Sequence, residues 1–374
     1  MPLSSRVLHV LAPAPFGGLE RVVERLALAQ TRSGRPVGLV PILDAGSSEP
    51  GFFHGLRGAL EVMPLVVPPR AYWHEQTLLS RIFEAWKPAV VHTHGYRTDV
   101  LARGPARRHR VALVSTTHGF TGGGIKNRFF EWLQCRSLSH FDAVVAVAAP
   151  MKSRLVSAGI PASRVQVIPN SWPAGESSPL TRAQARSQLA LGAGEFVIGW
   201  VGRLSHEKGL DVALRALARL GGETAPTLLV LGAGQEAERL QALARSLGIS
   251  ERVRWAGGMA EAGRLFPAFD LFVLSSRTEG TPMVLFEAMA ARVPIIATQV
   301  GGIPDVVGDR EATLIPPEQP EALAGAIAAA RGDPAAGTRR AEAAHARLAE
   351  FDETRARERY DQVYEAAIAR SVSS

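Results

Sequence analysis

SSRTEGTPMVLFE, residues 275–287, joins two segments of different periodicity. Ahead of it, FDLFVLSS (269–276) is a short apolar, branched run that reads as a buried parallel strand. Beyond it, TPMVLFEAMAA (281–291) has helical spacing, with Thr281 as N-cap and Pro282 at the first helical position. The turn between them holds Glu279 and Gly280. A strand–turn–helix junction leaves backbone N–H groups without partners, a ready site for anionic oxygen. Glu279 and Glu287 are eight residues apart and, at about 100° per residue, fall on roughly one helix face. Carboxylates so placed suit sugar or ribose hydroxyls, while the N–H groups suit phosphate. The plain alternative is a turn glutamate and a half-exposed helix glutamate. Against it, Val284, Leu285, Phe286, Ala288 and Met289 make a costly neighbourhood for an idle Glu287 carboxylate.

At 374 residues the chain exceeds one ordinary domain, and about 150 residues per domain suggests two. Its 46% apolar and 21% charged content is that of a globular protein. The single Cys135 excludes intrachain disulfides and zinc-finger spacing, which fits a reducing cytosol. The first residues lack a basic stretch followed by an unbroken apolar core, so no signal peptide is expected, and no apolar run is long enough to span a membrane. Charge is uneven: residues 1–180 carry 20 Lys+Arg against 11 Asp+Glu, the remainder 22 against 24. A basic first half points to an anionic acceptor or a lipid surface, with a merely solvated basic face as the alternative. No nucleic-acid motif accompanies the charge, so nucleic acid is not expected as a partner.

In chain order, RVLHVLAP (6–13) reads as a first buried strand, and PFGGLERVVERLALAQ (15–30) as a Gly-rich turn entering an amphipathic helix. Gly17 and Gly18 would let a ligand approach the backbone at that helix start. VGLVPIL, LEVMPLVV, AVVHTHG, VALVSTTHG, FDAVVAVAA and RVQVIPN follow as strands with helical stretches between several of them, which argues a parallel, doubly wound sheet. Two of these end in His-Gly, placing His92, His94 and His118 where such sheets bind ligands, beyond the strands' carboxyl ends. Between 125 and 141, Phe129, Phe130, Leu133 and Leu138 alternate with Lys126, Arg128 and Arg136, either a packed helix with a basic edge or an interfacial, acceptor-facing one. Residues 173–194 shift to Pro, Gly, Ser and Ala around a short helix and read as a linker. The expected domains are 1–172 and 195–350, with residues 351–374 as a closing helix. The second domain opens with a strand ending at Val201–Gly202, and Arg203 and Lys208 then surround a turn entering a helix. Two cations at a helix N-terminus oppose its dipole, and an anion between them would resolve the conflict. Gly232, Gly234 and Ala237 formally match a dinucleotide fingerprint, but they open no N-terminal βαβ unit.

EGTPMVLFEAMA followed by PIIATQVGGIPDVV resembles the E-x7-E donor-site signature of glycosyltransferase family 4, retaining enzymes of GT-B fold, and GRLSHEKG (202–209) resembles a second signature of that family. The resemblance covers nearly the whole chain. It implies two Rossmann-like α/β domains facing a cleft, with a C-terminal helix crossing back to the first. It implies that Arg203 and Lys208 clamp a donor diphosphate, with Gly17 and Gly18 of the GG-x-E loop against it and against the acceptor. It further implies Glu287 on the ribose diol, Glu279 on sugar hydroxyls, His118 over the donor sugar, and Gly280, Thr281, Pro282 and Met283 lining the donor site. His94, Lys126 and Arg128 are expected on the acceptor side. The expected activity is retaining, metal-independent hexosyl or N-acetylhexosaminyl transfer. The donor is expected to be a UDP- or GDP-sugar, with no separate cofactor, and the acceptor a glycan, a lipid-linked or a small-molecule acceptor in bacterial surface polysaccharide or glycoconjugate synthesis. The expected place is the cytoplasm, with peripheral contact at the inner face of the membrane. A nucleotide-sugar epimerase and a catalytically silent binding paralogue are the alternatives. No Asp-x-Asp pair occurs among the ten aspartates, and no His/carboxylate cluster with metal-ligand spacing is evident along the chain.

Overall fold

The computed structural model describes residues 5–13, 18–46, 53, 56–119, 125–172, 179–192, 194–222, 225–259 and 261–373. The chain divides into two compact units, one of residues 1–171 with 353–374 and one of residues 172–352.

The first unit is built on β1 (Val7–Leu11), β2 (Val37–Asp44), β3 (Glu61–Val62), β4 (Leu65–Val67), β5 (Val90–His94), β6 (Ala112–Thr117), β7 (Ala143–Ala146) and β8 (Val165–Val167). The order is β3-β2-β1-β5-β6-β7-β8, with β4 also on β2, and every pairing is parallel. Strands so apolar suit parallel pairing under cover on both faces, and β1, β5, β6 and β7 are buried throughout. Strand order reverses between β1 and β5, so their carboxyl ends diverge into a crevice. The last helix, Glu353–Ser373, closes one face: Tyr360, Val363, Tyr364 and Ala367 pack among Val7, Leu26, Val90, Ala112 and Val114. Arg35 fixes it by an ion pair to Asp361 at 2.9 Å, and Arg370 donates to the Asp142 carbonyl at 2.7 Å.

The second unit has β9 (Val197–Val201), β10 (Thr227–Leu231), β11 (Val253–Gly257), β12 (Leu271–Leu274), β13 (Ile295–Thr298) and β14 (Thr313–Ile315), all parallel, in the order β11-β10-β9-β12-β13-β14. Here the order reverses between β9 and β12. Much of the stretch expected as a linker belongs to this body. The helix Arg182–Gln188 is capped by Thr181 and Gln184 in a reciprocal box, Leu180 N–H donates to the Arg264 carbonyl at 3.1 Å, and Arg182 and Arg186 pair with Asp270. Residues 173–178 and 193 of that stretch lie outside the described residues.

The helix Ile125–Leu138 keeps Leu138 in the core, as a packed helix would, but turns Phe129 outward, as an interfacial one would. Its polar Gln134 and Ser137 are buried, donating to the Asp99 carboxylate at 2.7 Å and to the Asp99 carbonyl at 2.7 Å, while Phe129 and Trp132 stand in solvent. Asp99 needs donors, and that demand outranks the aromatic pattern. Among the described residues no helix is long and apolar enough to cross a membrane.

Candidate functional site

In the second unit, the turns leaving β9 and β12 meet where strand order reverses. Lys208 Nζ donates to both Glu279 oxygens at 2.7 and 2.9 Å, and Ser276 Oγ donates to the same carboxylate at 2.7 Å. The Glu279 side chain is 6% exposed and that of Lys208 20%, so the pair is largely withdrawn from water. Arg277 ties the turns a second time. Its guanidinium grips Asp211 through two 2.8 Å bonds and donates to the His206 carbonyl at 2.7 Å, and its backbone N–H donates to the Glu207 carbonyl at 2.8 Å. Two glycines let the backbones close. Gly209 (φ 63°) would put a Cβ 2.1 Å from the Ser275 carbonyl oxygen, and Gly301 (φ 54°) would put one 1.9 Å from that of Glu279. Both positions favour glycine by conformation and by space.

Arg203 differs from Lys208. Its side chain is half exposed and its ion pair is with Glu207, at 3.2 Å. Glu207 is held in turn by Ser205 Oγ at 2.7 Å. The cationic turn therefore has one cation committed to Glu279 and one, half exposed, paired with Glu207. Asp211 sits in the first turn of the helix Leu210–Arg219, the sign a helix N-terminus favours. It relieves the conflict that the sequence alone assigned to an absent anion.

Three expectations for residues 279–287 need correction. The helix spans Met283–Ala290, with Pro282 in the capping position in an extended conformation and no side-chain cap. Thr281 therefore does not cap it; a residue before proline is held out of the helical region. Glu279 lies before this helix, so it and Glu287 do not share a helix face. Glu287 is on the helix as expected and is buried, with its carboxyl close enough to Gly263 that a Cβ there would sit 3.1 Å away. Gly280, Thr281 and Met283 are also buried around this turn, and the Gly302 N–H donates to the Gly280 carbonyl at 3.0 Å. The glycines of the dinucleotide-like motif serve the fold: a Cβ at Gly232 or Gly234 would strike the carbonyl oxygens of Gly202 and Leu204.

In the first unit, His9 on β1 and His92 and His94 on β5 lie on one sheet face, with His9 opposite His92 and Leu11 opposite His94 in register. His92 and His94 are inside the strand and almost fully buried, rather than beyond its end, and His94 offers no free surface for an acceptor. Its Nδ1 is 3.2 Å from His118 Nε2, and its Nε2 is 3.0 Å from His9 Nδ1. His118, just past β6, is half-buried. Sequence reading missed His9, because one histidine in an apolar strand carries no signal until its register is known. It also missed the metal-like grouping: single ring nitrogens of His9, His92 and His94 come within 4.8 Å of one another. Each of these three rings has protein partners on both nitrogens, Gln30, Tyr364, Thr116 and His118 completing the set. Gly18 begins the helix Gly18–Arg32 and is exposed. Gly17 and the side chain of Lys126 lie outside the described residues, and Arg128 is exposed beside Phe129 and Trp132.

Two α/β units with parallel sheets, each presenting loops where its strand order reverses, are the architecture of the GT-B fold. Residues 16–171 match the family model described as Glycosyltransferase Family 4, and residues 181–347 the one described as Glycosyl transferases group 1. The chain is 30% identical over 302 residues to glycogen synthase of Mycobacterium tuberculosis, spanning 76% of this chain and 70% of that protein. It is 30% identical over 247 residues to D-inositol 3-phosphate glycosyltransferase of Segniliparus rotundus, 61% of this chain and 54% of the other. Among solved structures, Anabaena HepE in complex with UDP-glucose has a TM-score of 0.81 at 23% identity, covering 99% of both chains. Sucrose-phosphate synthase of Thermosynechococcus elongatus has a TM-score of 0.82 at 20% identity, over 97% of this chain and 99% of that one. The chain belongs to glycosyltransferase family 4.

The buried histidines make the first unit acid-sensitive. Burial holds His9 and His118 down at about 4 and His92 and His94 well below their ordinary range, with repulsion from neighbouring rings adding to the last two. Protons that the unfolded chain takes up below pH ~6.5 are thus refused by the folded one, so this contribution to stability is present above 6.5 and lost as pH falls. Asp99 acts oppositely: burial raises it to about 6 despite hydrogen bonds from Thr93, Gln134 and Ser115, so its contribution is lost as pH rises. Burial shifts Glu75, Asp142 and Asp361 in the same direction as Asp99. Between pH 7 and 5 the folded state loses up to about 1.4 kcal/mol per pH unit from each of four histidines below its unfolded value, against one such gain from Asp99. The urea midpoint of the first unit should therefore fall across that range; an unchanged midpoint would show that the rings are already solvated or protonated.

Proposed function

We propose that this transferase is retaining and metal-independent, and moves a hexosyl or N-acetylhexosaminyl group from a UDP- or GDP-sugar to a glycan, a lipid-linked or a small-molecule acceptor. The pathway proposed is bacterial surface polysaccharide or glycoconjugate synthesis. The observation that carries this reading is the meeting of Lys208, Glu279 and the Arg203 turn at the strand-order reversal of the second unit. HepE crystallised with UDP-glucose supports a nucleotide-sugar donor of this kind.

In this reading Arg203 meets the departing diphosphate with a planar fork, and Lys208 adds a point charge. Developing negative charge on the leaving group is what these cations stabilise in the transition state. Glu279 already binds Lys208 and Ser276, yet a carboxylate has about four acceptor positions, which leaves room for a sugar hydroxyl. Glu287 holds the ribose diol, and His118 acts on the donor sugar. The acceptor oxygen attacks the anomeric carbon on the face the phosphate leaves, the bond to phosphate oxygen breaks, and that oxygen takes the acceptor's proton. No enzyme nucleophile takes part.

Lys208 serves both structure and chemistry, and variants separate the two. Lys208→Ala leaves the Glu279 carboxylate largely buried beside Ser276 and should lower stability by about 1–3 kcal/mol, below the full cost of splitting a wholly buried pair because the lysine is partly solvated. Adding Glu279→Gln should restore the melting temperature without restoring transfer. Arg203→Ala, at a half-exposed position, should leave stability unchanged and cost about 100-fold or more in rate, the scale of one lost transition-state donor. Wild-type turnover that EDTA abolishes and magnesium or manganese restores would overturn the mechanism, as would a fully active Arg203→Ala.

On the acceptor side we place the helix Ile125–Leu138. Phe129 (55% exposed) and Trp132 (59% exposed) stack at 5.9 Å beside Arg128, and Tyr96, 53% exposed, lies 5.4 Å from Phe130. Aromatic and basic side chains together suit a membrane interface. Charge reversal at Lys126 and Arg128 should lower co-sedimentation with anionic vesicles and transfer to a lipid-linked acceptor, as added salt should. If both ignore charge reversal and salt, the face is only solvated.

A further inference from the structure

Gln30, on the helix Gly18–Arg32, is fully buried at the junction of two hydrogen-bonded chains. Along one, Gln30 Oε1 is 2.8 Å from His9 Nε2, His9 Nδ1 is 3.0 Å from His94 Nε2, and His94 Nδ1 is 3.2 Å from His118 Nε2. Along the other, Gln30 Nε2 donates to the Tyr364 hydroxyl at 2.9 Å. That hydroxyl is 2.8 Å from His92 Nδ1, His92 Nε2 is 2.8 Å from Thr116 Oγ1, and Thr116 Oγ1 is 3.2 Å from the Tyr360 hydroxyl.

Every imidazole and hydroxyl in these chains can either give or take a proton at a given contact. Only the carboxamide has one end that purely accepts and one that purely donates. Because Oε1 accepts, His9 must carry its proton on Nε2. A neutral ring has one N–H, so His9 Nδ1 accepts from His94 Nε2–H, and His94 Nδ1 accepts from His118 Nε2–H. His118 is left with a lone pair on Nδ1. A flipped carboxamide would reverse every hydrogen in both chains and make His118 Nδ1 a donor instead. The downward shift of all four histidines supports neutral rings.

We propose that Gln30 is a positioning residue that fixes the tautomer of His118 through His9 and His94, keeping Nδ1 of His118 an acceptor. Its catalytic consequence rests on the reading of His118 as the residue acting on the donor sugar. An acceptor nitrogen takes a hydrogen bond from a sugar hydroxyl, whereas an Nδ1–H ring would meet that hydroxyl's oxygen. His118 is the one residue of the four that is only half-buried, so the chain carries the polarity of an amide in the core out toward the end of β6.

The test is long-range 1H–15N correlation of the imidazole rings in the full chain at pH 7.5, with the His118 signals identified by their loss in His118→Gln. Wild type should show one tautomer, Nε2–H, with its two nitrogen shifts far apart. Gln30→Met, nearly the same shape without hydrogen-bonding ends, should bring the two shifts of His118 together as both tautomers populate. It should also lower kcat by about two- to tenfold with little change in donor KM, the scale of one net hydrogen bond. Tyr364→Phe cuts the other chain but leaves Gln30 Oε1 on His9, so the His118 tautomer should not change. If Gln30→Met does not fold, Gln30→Asn, too short to reach His9, carries the same comparison. An Nδ1–H ring in wild type, a His118 tautomer indifferent to Gln30, or one equally disturbed by Tyr364→Phe would overturn the proposal. A tautomer that follows Gln30 while His118→Gln retains full transfer would uphold the positioning and overturn the role of His118 in the proposed function.

Discussion

The ion pair between Lys208 and Glu279 is the constraint around which the second unit's site is built. Its partners come from turns 71 residues apart in sequence, and they meet because β9 and β12 are neighbours in the sheet. A largely buried ion pair is no bargain in stability, since desolvation offsets much of the Coulomb gain. What it does is fix geometry. With Lys208 and Ser276 on its oxygens, Glu279 has one orientation, and Arg277 on Asp211 holds the same two turns in register. The glycines at 209 and 301 permit the close approach that the pair requires. Arg203 stands on this scaffold half exposed, paired with Glu207.

The first unit handles polar groups in the opposite way. It buries four histidines, two tyrosines, a glutamine and a threonine with almost no formal charge among them, and satisfies them by neutral hydrogen bonds in series. Such a network stays favourable only while every member keeps its partner and no ring takes a second proton. The closing helix supplies Tyr360 and Tyr364, so this face of the unit is completed by residues from the far end of the chain. On the other face of the sheet, Thr93 of β5 and Ser115 of β6 turn toward Asp99, and the period of two in the strands separates the two networks.

Much of this was legible in the sequence because it rests on local signals. Apolar runs alternating with helical spacing gave parallel sheets, and the motifs at 202–209 and 279–287 named Arg203, Lys208, Glu279 and Glu287. What stayed hidden depends on register or on competition between local rules. His9 becomes notable only when β1 is laid beside β5, and Asp211 and Arg277 only when the two turns are brought together. Thr281 was read as a cap because threonine before a helix usually is one, but Pro282 occupies that position. The helix at 125–138 has two facings open in the sequence, and the buried donors wanted by Asp99 set its orientation. In every case but Thr281, where the adjacent proline decided, a long-range partner chose between options that were locally equivalent.

The central claim is that the Arg203 turn recognises the diphosphate of the donor rather than its base or sugar. Calorimetric titration of wild type and Arg203→Ala with a nucleoside monophosphate and the matching diphosphate, uridine and guanosine series both, isolates that contribution as a coupling free energy. The account predicts that the extra affinity conferred by the second phosphate falls by about tenfold or more in the variant, a loss of ~1.4 kcal/mol, while monophosphate affinity is retained. Equal losses for both nucleotides, or none for either, would contradict it.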